Sequence, residues 1–179
     1  MRLSNGGFIY KSFGVARFFL IYLYYITKNI SWLGLIGKGN LIAFNGNVFI
    51  GKKLITGKNV DIISDGELYI GRNVSIGDYS RIVSKFSIKI GSNVMLARFV
   101  SILDHDHGYT LEDSNMKFDG YTTDSIEIGD NVWIGDKVTI LKGVKIGSNV
   151  IVAANSVVTK SIPSNCIVAG TPAVIKRVI

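Results

Sequence analysis

The sequence is poor in the residues that would staple or metallate a small fold. It has one cysteine, Cys166, and two histidines in 179 residues. A lone cysteine forms no intrachain disulfide, and no His or Cys cluster surrounds it to build a zinc site, so a reducing compartment fits. Charged residues are scarce at 18%, against 47% hydrophobic, a balance that excludes a disordered chain. Long apolar runs are also missing. The one candidate, 18–27 (FFLIYLYYIT), lies between Arg17 and Lys28. It is half of the roughly 20 residues a spanning helix needs, and no small-residue cleavage site follows it. It reads as a helix packed on the protein body or a neighbouring subunit. The alternative is an interfacial helix using Phe18, Phe19, Tyr22 and Tyr25 with Lys11, Arg17 and Lys28. The length suits one domain that buries a core without cross-links.

What the chain has in quantity is a repeat. From Ile50 it divides into hexads: IGKKLI, TGKNVD and IISDGE, a two-residue spacer, then IGRNVS, IGDYSR and IVSKFS from Ile70. A further spacer leads to IGSNVM, LARFVS and ILDHDH from Ile90, so the period is 20 residues. The pattern stops over 108–125 and resumes with Ile126 and Glu127, then IGDNVW, IGDKVT, ILKGVK, IGSNVI, VAANSV and VTKSIP. Every hexad opens with Ile, Leu or Val except that of Thr56. Such a period is neither helical nor a simple alternation. Glycine recurs at second places (Gly51, Gly71, Gly91, Gly129, Gly147), where a bend is cramped, and valine at fifth places, where backbone is extended. Three short strands and three bends make one triangular coil. Stacked coils about 4.8 Å apart then place identical residues in ladders, a parallel β-helix.

These hexads, with the closing stretch from Ile128 to Arg177 (IGDNVW through AGTPAVIKR), resemble the hexapeptide-repeat acyltransferases, in particular the maltose, galactoside and polysaccharide O-acetyltransferase branch. The resemblance spans about residues 36–177. It implies an all-β, left-handed parallel β-helix, the uncommon hand for a parallel crossover. It also implies a homotrimer and acetyl-CoA lying between adjacent rods. The expected organisation is an N-terminal helical or membrane-proximal segment over 1–35, the β-helix over 36–163 with an inserted loop at 108–125, and a cofactor-binding tail over 164–179.

The chemistry is expected at the break. Asp104, His105, Asp106 and His107 close the third coil, and these are the chain's two histidines. Acyl transfer to an alcohol needs a base near neutral pH, and histidine is suited to it. Relatives carry a histidine just before their loop, and alignment and the outward sixth place both favour His107 over His105. Asp104 or Asp106 is the candidate partner of the imidazole. The bland reading is a solvated polar loop entry. Trp133, also at a sixth place, is expected to face outward; the resemblance implies that it lines the acceptor or pantetheine channel, with a trimer contact as the alternative. The resemblance assigns Ala153 and Ala154 to the pantetheine and Gly170, Thr171 and Pro172 to the turn beside it. Lys160, Lys176 and Arg177 are the candidates for the phosphates. The chain has Val174 where many relatives carry lysine.

The acceptor is expected to be a sugar hydroxyl, with a cell-surface polysaccharide or its precursor favoured by the aromatic segment. N-acetylation of an amino sugar, nucleotide sugar or antibiotic is the alternative, and a non-catalytic scaffold is the non-enzyme one. Two histidines exclude the three-histidine zinc site of the γ-class carbonic anhydrases, which share the coil. The net charge of +7 does not by itself indicate nucleic acid, because aromatics are not interleaved with a basic face. The expected location is cytoplasmic, with a peripheral inner-membrane contact as the variant.

Overall fold

Aliphatic residues at fixed intervals can all reach one axis only if the chain turns three times per repeat. That is the arrangement in the computed structural model, which describes residues 34–179. The fold is a left-handed parallel β-helix. The N-terminal segment expected to be helical lies almost wholly outside the described residues. Each coil contributes one strand to each of three parallel sheets. The first sheet stacks Asn47–Ile50, Glu67–Ile70, Ser87–Ile90, Ile126–Ile128 and Lys145–Ile146. The second stacks Leu54–Thr56, Val74–Ile76, Met95–Leu96, Trp133–Ile134, Val150–Val152 and Cys166–Ala169. The third stacks Leu41–Phe44, Asp61–Ser64, Arg81–Ser84, Ser101–Leu103, Thr139–Ile140 and Val157–Val158.

Every hexad-opening residue is buried, from Ile50 to Val158, and the fifth-place valines fill the space between them. Full burial contributes about 1.5–3 kcal/mol for each such side chain. Thr56, the exception in the sequence, is buried with its hydroxyl satisfied: it accepts from the Gly37 amide at 3.1 Å and the Asn40 side chain at 2.6 Å. Cys166 belongs to this core, and burial raises its thiol pKa. The coil continues past residue 163, since Cys166–Ala169 pairs in parallel with Val150–Val152 before Val174–Val178 folds back antiparallel onto it.

The bends explain two recurring residue types. At Gly71 an added Cβ would stand 2.6 Å from the Gly91 carbonyl carbon of the next coil, so close stacking excludes a side chain there. The fourth places carry left-handed backbone, mostly on asparagine, which tolerates it. Asn73, Asn93, Asn131, Asn149 and Asn165 link side chain to side chain up one edge. On the edge between the second and third sheets, Tyr79 and Phe99 hold the same conformation and stack at 5.1 Å.

The insertion is more ordered than a loop. His105–Glu112 and Asn115–Thr123 form an antiparallel hairpin, closed by Asp113 and Ser114, both at positive φ. A two-residue turn of this hand matches the twist of the strands. The excursion therefore leaves the coil at His105, earlier than the 108–125 boundary expected from sequence. The cause is that parallel pairing ends at Leu103, and Asp104 is the corner residue.

Candidate functional site

The break creates a backbone problem, and its solution is the site. At intact corners between the third and first sheets, one carbonyl of the coil above accepts two amides below. Ser84 O takes the Asp65 and Gly66 amides at 2.8 and 3.3 Å. One coil higher the equivalent carbonyl, Asp104 O, is turned to the returning chain and accepts from the Asp124 amide at 3.0 Å. The Asp104 side chain takes over its work. Its Oδ1 accepts from the Lys85 amide at 2.8 Å, and its Oδ2 accepts from the Phe86 amide at 2.9 Å and the Ser84 hydroxyl at 3.0 Å. Gly143 closes the next corner with φ +77°, and a Cβ there would meet the Asp124 carboxylate at 2.7 Å.

Asp104, with no exposed surface, also meets His105. Its Oδ1 lies 3.2 Å from His105 Nδ1. The carboxylate is an acceptor, so the pair puts the ring proton on Nδ1 and leaves Nε2 free to accept one. The His105 side chain is 11% exposed. His107, first choice from the hexad register, is exposed and lies on the hairpin opposite Tyr121, with no carboxylate contact. The sixth-place argument for it does not apply, because the register stops before it.

Residues not expected beside the histidines complete the corner; Tyr121, read from the sequence as a loop aromatic suited to stacking on a sugar ring, is one of them. The Tyr121 ring packs at 5.2 Å from that of His105 and 4.9 Å from that of His107, and the Lys85 ammonium lies 5.1 Å from its centroid. Lys85 binds Asp65, and that hydrogen bond raises the lysine's pKa and, with help from Asn45, lowers the carboxyl's. Lys142 ties down the hairpin's base, reaching Asp106 at 3.1 Å and the Thr122 hydroxyl. Their sequence separations from the histidines hide them; only the 20-residue ladder spacing relates Asp65 and Lys85 to His105, and Ser84 to Asp104.

The residues expected to hold acetyl-CoA lie elsewhere. Trp133 points outward from the second sheet, 47% exposed, in one column with Ile55, Met95 and Ile151. Ala153 and Ala154 form the bend between the second and third sheets. Gly170 and Thr171 pack on that same bend, through Gly170 N to Ser156 Oγ at 3.0 Å and Thr171 Oγ1 to Asn155 O at 3.3 Å. Pro172 follows them, and Lys176 and Arg177 sit on the antiparallel strand bordering the second sheet. Lys160 does not join this group: it lies in the bend leading out of the third sheet toward Ile162, which bridges to Ile146 of the first. Arg98 and Lys137, not anticipated, lie on the edge with Ala154, joined by Lys137 N to Arg98 O at 2.8 Å. In a three-sided rod the second sheet is opposite the edge between the third and first. Trp133 and His105 of one chain therefore face away from each other.

Residues 125–160 match the family described as bacterial transferase hexapeptide (six repeats). The polySia-specific acetyltransferase NeuO is 27% identical over 83% of this chain and 86% of its own, with a TM-score of 0.56. A maltose O-acetyltransferase from Clostridium difficile 630 is 29% identical over 86% of this chain and 72% of its own, with a TM-score of 0.53. A hexapeptide-repeat acetyltransferase from Vibrio cholerae is 26% identical over 92% of this chain and 80% of its own, with a TM-score of 0.55. That protein has also been solved with acetyl coenzyme A bound.

Proposed function

We propose that this chain, which matches the bacterial hexapeptide transferase model over residues 125–160, moves an acetyl group from acetyl-CoA to a sugar hydroxyl, with His105 as the base. The observation carrying this reading is the Asp104–His105 pair at the coil break. Nε2 of His105 takes the hydroxyl proton as the acceptor oxygen attacks the thioester carbonyl. The tetrahedral intermediate collapses, the new ester C–O bond persists and the C–S bond breaks. The imidazolium returns the proton to the departing thiolate. Asp104 keeps the ring in the accepting tautomer and offsets its transient charge. No protein nucleophile is required, and Cys166 is buried away from the site.

The acetyl donor is supported by the Vibrio cholerae relative with its bound acetyl coenzyme A, and the sugar acceptor by NeuO and the maltose enzyme. Trp133, Ala153, Ala154 and the turn at Gly170 to Pro172 are the surface for pantetheine, and Lys137, Lys176 and Arg177 are the cations for the phosphates. Since this surface and His105 face opposite ways in one chain, the working site is composite, between copies of a homotrimer. An acceptor held near a membrane is the reading of 18–27, outside the described residues. The test is acetyl transfer from acetyl-CoA to free sugars, amino sugars and lipid-linked glycans. His105→Ala should lower turnover about 10²–10⁴-fold and His107→Ala less. Full activity in His105→Ala would remove the reading, and transfer to amines alone would make the enzyme an N-acetyltransferase.

A further inference from the structure

We propose that Tyr121 positions His105, so that the hairpin carries part of the catalytic alignment. This rests on the reading of His105 as the base. A single hydrogen bond, Asp104 to Nδ1, fixes one point of the imidazole and leaves the ring free to tilt about it. The Tyr121 ring supplies the second constraint, standing at 88° to the imidazole with centroids 5.2 Å apart, the edge-to-face arrangement that aromatic pairs favour. Tyr121 is itself held from two sides. The His107 ring across the hairpin lies 4.9 Å away, and the Lys85 ammonium, anchored by Asp65, lies 5.1 Å from its centroid. The groups on the imidazole are thus Asp104 from the coil corner and Tyr121 from the hairpin, with His107 and Lys85 packed against the tyrosine. Tyr121 is 49% exposed, so it is not a core residue whose loss opens a cavity. Its ring contacts its neighbours and its hydroxyl makes none of these contacts, so a phenylalanine should do the same work.

The test compares Tyr121→Ala, Tyr121→Phe and Leu111→Ala in the full chain. Leu111 lies farther out on the hairpin and is exposed, so its loss disturbs the hairpin without touching the imidazole. The expected result is a kcat about 10–100-fold lower for Tyr121→Ala with KM for acetyl-CoA unchanged. Tyr121→Phe should restore kcat, and Leu111→Ala should keep it. The chain has only two imidazoles, so their proton–carbon NMR signals are readily told apart. At fixed pH, those of His105 should shift and broaden in Tyr121→Ala and not in Tyr121→Phe. Wild-type kcat and unmoved His105 signals in Tyr121→Ala would overturn the proposal. So would an equal loss of kcat in Leu111→Ala, which would make the effect one of hairpin folding, or in Tyr121→Phe, which would assign it to the hydroxyl. If the unaltered protein transfers no acetyl group, the proposed function fails, while the NMR comparison still decides whether Tyr121 holds the ring.

Discussion

Asp104→Asn separates the structural from the chemical work of one carboxyl group. Its two oxygens meet two donors each: Lys85 N–H and His105 Nδ1–H on Oδ1, Phe86 N–H and the Ser84 hydroxyl on Oδ2. An asparagine amide must present its NH₂ to one of these pairs. On the Oδ2 side the serine hydroxyl can turn to accept, but the Phe86 amide faces a donor. On the Oδ1 side the imidazole can switch tautomer and accept, but the Lys85 amide faces a donor. Either way one backbone amide is orphaned, at about 1–3 kcal/mol. For a chain of this length each kcal/mol lowers Tm by about 2–4 °C. Asp104→Ala orphans both amides, costing about 2–6 kcal/mol. Turnover tells the orientations apart. An NH₂ on the Oδ1 side moves the ring proton to Nε2 and should lower kcat by about 10²–10⁴-fold, whereas the other orientation spares it. Circular dichroism melts and acetyl-transfer kinetics on both variants are the assay. Unchanged Tm in both would refute the claim that this carboxyl replaces the missing carbonyl. Unchanged kcat in Asp104→Ala would refute its role toward His105.

The other predictions concern the assembly and the outer ion pair. Light scattering should give three times the chain mass, and Trp133→Ala should raise KM for acetyl-CoA by about tenfold without moving Tm, since its ring is half-exposed in the single chain; an active monomer would refute the composite site. Lys85→Met should lower Tm at neutral pH by the equivalent of less than about 1 kcal/mol, because both partners are partly exposed. The raised lysine pKa means that its contribution is lost as pH rises through the folded value, and the lowered Asp65 pKa means that the pair is lost as pH falls through that one. The difference from the unaltered protein should therefore narrow below about pH 4 and above about pH 10; a pH-independent difference would show that the pair is not its source.

The coil was legible in the sequence because one residue in six must reach the axis, and Ile70, Ile76 and Ile82 keep that interval whatever their neighbours do. The departure point was less legible. ILDHDH fits the hexad by composition, but a ladder strand needs a partner above it, and none follows Leu103 in that sheet until Thr139–Ile140. Counting sixth places through Asp104 therefore turned His107 outward on a strand that had already ended. The alternation of Tyr109 with Leu111 and of Met116 with Phe118 is the signal for the hairpin; the non-glycine turn at Asp113 and Ser114 hid it. Asparagines at the fourth places were likewise a readable sign of left-handed backbone. Of the neighbours of His105, Asp104 was readable as an adjacent carboxylate, whereas Tyr121 and Lys85 were not, since hairpin pairing brings the one and stacking the other.

That the candidate base sits where the solenoid is interrupted follows from hydrogen bonding. On this edge of the coil the uninterrupted corners at Asn45–Gly46 and Asp65–Gly66 satisfy their amides with backbone carbonyls, Ser64 O and Ser84 O. Where the chain leaves that edge, a side-chain acceptor replaces the carbonyl, and a carboxyl group fills the role because two amides and a hydroxyl converge there. Once buried for that reason, the carboxyl has capacity left on Oδ1, and the first residue of the excursion, His105, is placed to use it. The fold's repair and the imidazole's orientation are thus one interaction, and a change that spares one while removing the other is confined to the choice of which oxygen becomes the amide. Under the proposed composite site, the same interruption is the reason a second copy is called for. The break lies on the edge opposite the second sheet, so the face bearing Trp133 keeps an unbroken ladder while the edge bearing His105 gains a projecting arm. Only an adjacent rod can bring that arm to such a face.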